Sequence, residues 1–521
     1  MRDSFAMGNR FTRRRFLAAL GAGATCFALA NTTGCESTER DSRAKPATTS
    51  QPTPPGRVVA SGSSGSSSRR GAWAFRSRPD LSPPAVEVSK KARATAPGYI
   101  FLAPQKGEVG QGGTLIVDNE GQVVWFRPLQ ETYGRAMDFK AQTYRGRPVL
   151  TWMETESGEY VICDHTYHEI ARVEAGNGYK GDQHEFLISP QDTALITIYN
   201  RVPRDLSSVG GPKESVAVQG TVQEIDIETG EVLLEWKSLD HVGLDESYGK
   251  PGEDIESSGI DYFHLNSIDV DHDDNLLICA RKTCAVYKID RNSAGIIWRL
   301  GGKKSDFEMG PGTRFAFQHD ARRLPDGTIS IFDNGTTVFE DGFPKAVEEA
   351  RAIVLDVDEM RMKASLVREY DHPNKQYADA AGNAQLLPNG NVFVGWGRAL
   401  SISEFAHDGE LLFDLRSKYE NKTYRAFRFP WSGKPGERPA MVAERTSADE
   451  VRLYASWNGA TEITSWEVLA GTNQREPLTS VPRNGFETVM VVHTTDRYVA
   501  VRAKDRSGRV LGTSAAVELR T

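Results

Sequence analysis

The chain has 521 residues, is 39% hydrophobic and 26% charged, and carries a formal net charge of −7 at pH 7. That length leaves room for two or three domains, and the apolar fraction suffices for a sizeable core. The acidic balance argues against the basic face a nucleic-acid binder needs, and no apolar run beyond the leader is long enough for a spanning helix.

Residues 1–35 read as a targeting segment. Thr12-Arg13-Arg14-Arg15-Phe16-Leu17 is a twin-arginine pattern followed by an apolar stretch from Phe16 to Ala30, which predicts export of a folded protein. Gly34-Cys35 resembles a lipoprotein cleavage box, although Thr32 stands where Leu is usual. It predicts an acylated Cys35 at the cell surface or in the periplasm, with membrane contact only through that lipid. Residues 36–96 are rich in Ser, Pro, Thr, Gly and Arg, including the run Ser61 to Ser68. Such composition offers little apolar area against chain entropy and predicts a disordered tether.

From residue 97 short alternating strands replace any helical period. One unit recurs, a strand, a turn with Asp and Gly, and a strand ending in Trp. It appears as Leu115 to Trp125, Ile225 to Trp236 and Ile289 to Trp298, with weaker copies at Val161 to Val173, Ile353 to Tyr370 and Ile402 to Phe413. A second hairpin precedes each copy, starting near Pro97, Asp138, His184, His264, His319 and Asn383, with turn sequences such as Pro325-Asp-Gly327 and Pro388-Asn-Gly390. Two hairpins in each of six units predict an all-β, six-bladed β-propeller over residues 97–435. From 436 the rhythm changes. Val451 to Trp457 and Tyr498 to Ala503 predict strands of a small C-terminal β-sandwich, fibronectin-type-III-like, over 436–521.

His184, His264 and His319 each open a second-type hairpin. In a ring of blades, equivalent positions converge on the axis, so three scattered imidazoles become one site. Counting outward from the turns pairs His264 with Arg281, His319 with Asp333 (Asn334 and Gly335 follow), His184 with Tyr199, and Asn383 with Gly395-Trp396. Three His and one Arg, with few carboxylates among them, suit a tetrahedral oxyanion. Arg offers a planar fork, one imidazole a nucleophile, another a proton carrier. Tyr199, Asn334 and Trp396 are candidate substrate contacts, and Tyr199 and Trp396 read equally as blade packing. The main rival is a three-histidine metal site, which the nearby Arg281 opposes electrostatically. Asp269 to Asn275 reads as an acidic turn, because the Gly and Glu of a calcium loop are missing. No phosphate loop or dinucleotide fingerprint is present. Cys279 and Cys284 flank a hairpin end, where a disulfide and buried free thiols are both open readings.

Gln183-His184-Glu-Phe-Leu, Asp261-Tyr-Phe-His264-Leu-Asn-Ser-Ile-Asp, Ala280-Arg281, Phe317-Gln318-His319-Asp320 and Phe332-Asp333-Asn334-Gly335 resemble the arylsulfotransferases that work without a nucleotide donor. The resemblance covers about residues 97–435. It implies a central propeller site in which His319 is transiently sulfated, His264 and Arg281 hold the sulfuryl oxygens, and His184 moves the proton. It also implies a small aromatic sulfate donor, a phenolic acceptor and no cofactor. Two features depart from characterised bacterial members: Gly301 to Gln318 contains no cysteine for their short disulfide loop, and the sandwich follows the propeller instead of preceding it. The alternative from another class is a non-catalytic surface propeller lipoprotein that binds glycan or protein.

Overall fold

The computed structural model describes residues 71–105, 109–130, 134–253, 258–335, 338–340, 343–345, 349–417, 421–472 and 476–519. The leader, Cys35 and the tether up to residue 70 lie outside the described residues.

Six small antiparallel sheets follow one another along the chain. The second runs Ala136–Tyr144, Arg147–Glu154, Glu159–Cys163, Glu169–Val173. The third runs Gly181–Ile188, Thr193–Arg204, Ser215–Asp226, Val232–Lys237. The fourth runs Leu265–Val270, Leu276–Ala280, Ala285–Ile289, Ile296–Gly301. The fifth runs His319–Arg323, Ile329–Asp333, Arg351–Asp358, Lys363–Asp371, with Glu308–Met309 added at its edge. The sixth runs Asn383–Leu386, Val392–Gly395, Ser401–Phe405, Leu411–Ser417.

The first sheet differs. Tyr99–Leu102, Gly113–Val117 and Val123–Pro128 come from the beginning of the repeats, but the leading strand is Ala426–Phe429 from the end. The hairpin starting near Pro97 is therefore not a leading hairpin, as the repeat count suggests. Its first strand is the second of the sheet, paired Phe101 to Phe427. The leading strands contact one another in the order first to sixth, and the sixth contacts the first.

Burial explains the pattern. Runs such as Leu276–Ala280 and Gly113–Val117 are buried throughout, because sheets lie against both faces. Edge strands alternate, as in Lys363–Asp371. Each successive pair of sheets shares an apolar core. Trp152 and Phe101 join second to first, Tyr160 and Ile198 second to third, Trp236 and Tyr287 third to fourth. Trp298 and Ile353 join fourth to fifth, Phe332 and Phe405 fifth to sixth, and Phe413 and Ile100 sixth to first.

The tether expected over 36–96 is corrected for residues 71–96. Val86–Lys90 pairs with Leu411–Ser417 as a fifth strand of the sixth sheet, and Phe75 and Leu81 are buried in the adjoining core. A few apolar residues at strand spacing suffice there, and bulk Ser and Pro content averages them away.

Residues 440–518 form two further sheets around one core. Ala440–Arg445, Glu450–Ser456 and Glu487–His493 make one; Glu476–Pro482, Ser465–Gly471, Tyr498–Lys504 and Val510–Thr513 make the other. Val451, Leu453 and Met490 face Trp466, Val468 and Val501 between them. Asn458 docks this unit on the first sheet, its side chain accepting from the Phe126 N–H and donating to the Phe126 carbonyl, both at 2.9 Å.

Cys163, Cys279 and Cys284 are free and buried, and burial pushes each thiol up to about 12. The thiolate is the reactive form. Native protein at pH 8 is expected to leave all three unalkylated by iodoacetamide, and denatured protein to label all three. Peptide masses check this, and native labelling of Cys279 or Cys284 would contradict the packing.

Candidate functional site

Chain direction decides which end of the sheets carries chemistry. Short turns at 190–192, 271–274, 325–327 and 388–390 close the leading hairpins at one end. The longer connections, including 204–215 and 371–383, collect at the other. Each leading strand starts at that second end; His264 and His319 lie beside and at those starts, and His184 three residues into its strand.

Pairing in the leading strands is interrupted there. Register breaks fall between Met137 and Lys140, Ile196 and Ile198, Leu265 and Ser267, and His319 and Arg322. Asp138, His264 and Asp320 take positive φ values of 52°, 56° and 56°, a conformation that is unusual outside glycine. Such bulges re-aim side chains and are over-represented at active sites.

The four residues picked from the sequence come together. The rings of His184 and His264 are 5.0 Å apart between centroids. Tyr424 stands edge-on to both His184 at 5.5 Å and His319 at 6.2 Å. Arg281 emerges opposite His264 as counted, its N–H donating to the His264 carbonyl at 2.9 Å. Its guanidinium lies 4.9 Å over the ring of Phe317 and donates to the Asp379 carbonyl at 2.9 Å. The Arg281 Nε is buried without a partner. A buried, unused donor on a cation is a ready anion contact.

Each imidazole is held through Nδ1, and the three partners differ. Nδ1 of His184 meets Asp182 and Nδ1 of His264 meets Asp261. Nδ1 of His319 meets Asn334 Oδ1 at 2.6 Å. The orientation of that amide is fixed, because its NH₂ donates to the Ala378 and Ala381 carbonyls, both at 2.9 Å. In all three pairs the oxygen accepts, so Nδ1 carries the hydrogen and Nε2 is left for chemistry. A carboxylate behind His184 and His264 stabilises an imidazolium; a neutral amide behind His319 does not. The scarcity of carboxylates read from the sequence is thus corrected, although Asp182 and Asp261 stand two and three residues before their histidines.

Electrostatics sharpen the contrast. Burial and then the Arg281 guanidinium hold His319 well below its ordinary value of 6.5. His264 is also lowered, by burial first and against the pull of Asp261. His319 is therefore neutral at pH 7. A group depressed in the folded state contributes stability that is complete above its unfolded value and lost as pH falls through 6.5 and below. Melting temperatures from pH 8 to pH 5 are expected to fall less steeply for His319→Asn than for the natural chain. An unchanged slope would contradict a depressed His319.

Beside the histidines in sequence lies a buried ion cluster. Arg425 donates to Asp138 at 2.9 Å, Glu185 at 3.1 Å and the Asn266 carbonyl at 2.8 Å. Lys140 binds Asp138 at 2.7 Å and Glu185 at 2.6 Å. Arg322 binds Asp320 at 2.7 Å and also meets Glu185. Each anion or cation next in sequence to a site residue (Glu185, Asp320, Arg425) turns inward. Neighbouring residues thus divide between the group of His and Tyr rings and the ionic cluster.

The other sequence candidates divide. Tyr199 stacks on His184 with centroids 5.1 Å apart and planes 13° apart, and its hydroxyl donates to the Leu265 carbonyl at 2.7 Å. It does not pair opposite His184, because the strands run one residue off the count from the turn onward, with Ala194 facing Ile188, and the register breaks again after Ile196. His319 faces Phe332, one residue short of the predicted Asp333, since the bulge takes up one residue. That shift lets Asn334 hold the imidazole instead of lining the cavity as a substrate contact. Trp396 is fully buried between the fifth and sixth sheets, donates to Ser403 at 2.9 Å and packs on Phe332, so it is core and not a ligand contact. Cys35 lies outside the described residues. Among the described residues no three His, Cys, Asp or Glu side chains group to hold a metal ion. Sequence reasoning misses Tyr424, Phe317 and the two carboxylates. Tyr424 occupies the first sheet's equivalent of His319, two residues before its leading strand, a signal visible only once that strand is assigned to the end of the chain.

Fold and site together define an all-β protein whose repeated sheets deliver a histidine–arginine centre to their common end. A family model described as arylsulfotransferase (ASST) matches residues 140–418, more than half of the chain, and the chain belongs to that family. No curated protein matches it. Similar solved structures include a protein of unknown function from Bacteroides caccae, with 14% identity, 64% of this chain and 98% of that chain covered, and a TM-score of 0.38. A catalytically inactive virginiamycin B lyase from Staphylococcus aureus, solved with quinupristin, has 8% identity, 78% and 99% coverage, and a TM-score of 0.34. AztD of Citrobacter koseri has 11% identity, 76% and 97% coverage, and a TM-score of 0.30.

Proposed function

We propose that this protein moves a sulfuryl group from an aryl sulfate ester to a phenol through a sulfated His319. The observation that carries the reading is the unequal backing of the three imidazoles around Arg281: two carboxylates and one amide. Nε2 of neutral His319 attacks sulfur, forming an N–S bond as the S–O bond to the aryl oxygen breaks. Arg281, with its unused Nε, and His264 take the charge on the sulfuryl oxygens, the electrostatic contribution that usually dominates. His184, its imidazolium supported by Asp182, gives its proton to the leaving phenolate and later takes one from the acceptor. Tyr199 and Tyr424 offer aromatic edges for the aryl groups.

The scaffold we infer is a six-bladed β-propeller over 97–435, supported by six sheets that share cores cyclically. A fibronectin-type-III-like sandwich follows, supported by its division into three and four main strands. The twin-arginine pattern and Cys35 support export and lipid anchoring.

Intact mass after mixing with an aryl sulfate and no acceptor tests the reaction. The expected result is one added sulfuryl group, mapped to the peptide bearing His319. Release of phenol with no protein adduct would instead favour direct hydrolysis.

A further inference from the structure

The segment Ala378–Gly382 lies across the candidate nucleophile and is bonded to His319, Asn334, Arg281 and Tyr424. The Ala381 N–H donates to Nε2 of His319 at 3.3 Å. The Ala378 and Ala381 carbonyls accept from Asn334, the Asp379 carbonyl accepts from Arg281 at 2.9 Å, and the Gly382 N–H donates to the Tyr424 carbonyl at 3.0 Å. His319 is 1% exposed beneath it. From outside, Arg398 clasps the Asp379 carboxylate at 3.0 Å. Ala381 and Gly382 both take positive φ, 65° and 106°, so the strap holds a backbone state that alanine does not favour.

This arrangement conflicts with attack as it stands. An N–S bond needs sulfur within about bonding distance of Nε2, and near-attack geometry already needs reacting atoms roughly 3 Å apart. A peptide nitrogen 3.3 Å from Nε2 with its hydrogen between leaves no room for sulfur and its oxygens.

We propose that Ala378–Gly382 is a donor-operated cover: the Ala381 N–H holds the Nε2 lone pair of the empty protein, and a sulfate group that draws Arg281 off the Asp379 carbonyl lets the strap lift and frees the nucleophile. The inference rests on the sulfuryl-transfer reading for its purpose. Arg281 is the connecting part, because turning its buried, unused Nε toward a sulfate carries the guanidinium away from the Asp379 carbonyl. Arg398 is a positioning residue: it bears on the strap through an exposed side-chain clasp and touches none of the groups that react.

Carbethoxylation of imidazole reads the cover without using turnover. The reagent is diethyl pyrocarbonate on the full chain, and trypsin places His319 in the peptide Phe315–Arg322, where it is the only histidine. His319 in the natural protein is expected to react at least about tenfold more slowly than exposed His168 and His272. Arg398→Ala and Asp379→Ala are each expected to raise His319 labelling several-fold while leaving buried His372 and the melting temperature unchanged. Equal labelling of His319 and His168 in the natural protein, or no rise in both variants, would overturn the cover. The two readings fail separately. A covered His319 that no aryl sulfate modifies removes sulfuryl transfer alone, and a sulfated His319 with labelling indifferent to the clasp removes the cover alone.

Discussion

His319→Asn is expected to lower aryl sulfate to phenol transfer by about 10⁴-fold or more, the scale seen when a covalent nucleophile is removed, and to abolish the protein adduct. The geometry makes this loss selective. His319 is the one imidazole of the three with a neutral backing group and a value held well below 6.5, so neither carboxylate-backed neighbour replaces it as a nucleophile. His184→Asn removes proton transfer instead, expected to cost about 10²–10⁴-fold, with a smaller loss for donors whose phenolate leaves unprotonated. Rates with a poor and a good leaving group, measured on both variants, separate the roles. Transfer by His319→Asn within tenfold of the natural rate would refute the assignment. A His184→Asn variant with the same loss for both donors would refute the proton carrier.

Arg425→Met is expected to destabilise the fold by about 3–5 kcal/mol, the range for breaking one side of a buried ion pair. Arg425 is fully buried and is the common partner of Asp138, Glu185 and Asp320, each on a different sheet. Its removal leaves Lys140 and Arg322 against three carboxylates. Glu185 is the sensitive member. Burial works against its ionised form, and only Arg322, Arg425 and Lys140 together hold it well below the usual carboxylate range. The melting temperature should drop by several degrees, and Arg425→Met paired with Glu185→Gln should recover part of the loss. A variant as stable as the natural chain would show that the cluster is not what ties the leading strands together. Transfer activity is expected to fall as well, since Tyr424 and His184 adjoin Arg425 and Glu185 in the chain and are aimed by them.

Part of the site is legible in the residues alone. Repeats of two hairpins with Asp-Gly turns and terminal Trp residues mark successive sheets, because turn chemistry and strand period are local. Leu265 does pair with Ala280 and the Arg281 N–H does reach the His264 carbonyl, as counted, but the strands nearer the turn run one residue off that count and a bulge between Leu265 and Ser267 restores it. The same count is off by one at His319, where a bulge intervenes, and at His184, where the strands run one residue off the count from the turn onward. A bulge inserts one residue for reasons of packing at the axis, which no residue type announces. Trp396 misleads for a related reason: one step along a strand turns a side chain from the axis into the core between sheets.

Local sequence thus dictates the strands and turns, and it dictates the recurrence of three histidines at equivalent positions, with an arginine opposite one of them. Long-range packing is what makes Ala426–Phe429 complete the first sheet and brings Tyr424 and Arg425 to the histidines and the ion cluster. It also selects which oxygen backs each imidazole, and it lays Ala378–Gly382 across His319. The reason is range. Turns and alternation are set by neighbours in the chain, whereas closure, hydrogen-bond partners and burial join residues as far apart as Asp138 and Arg425.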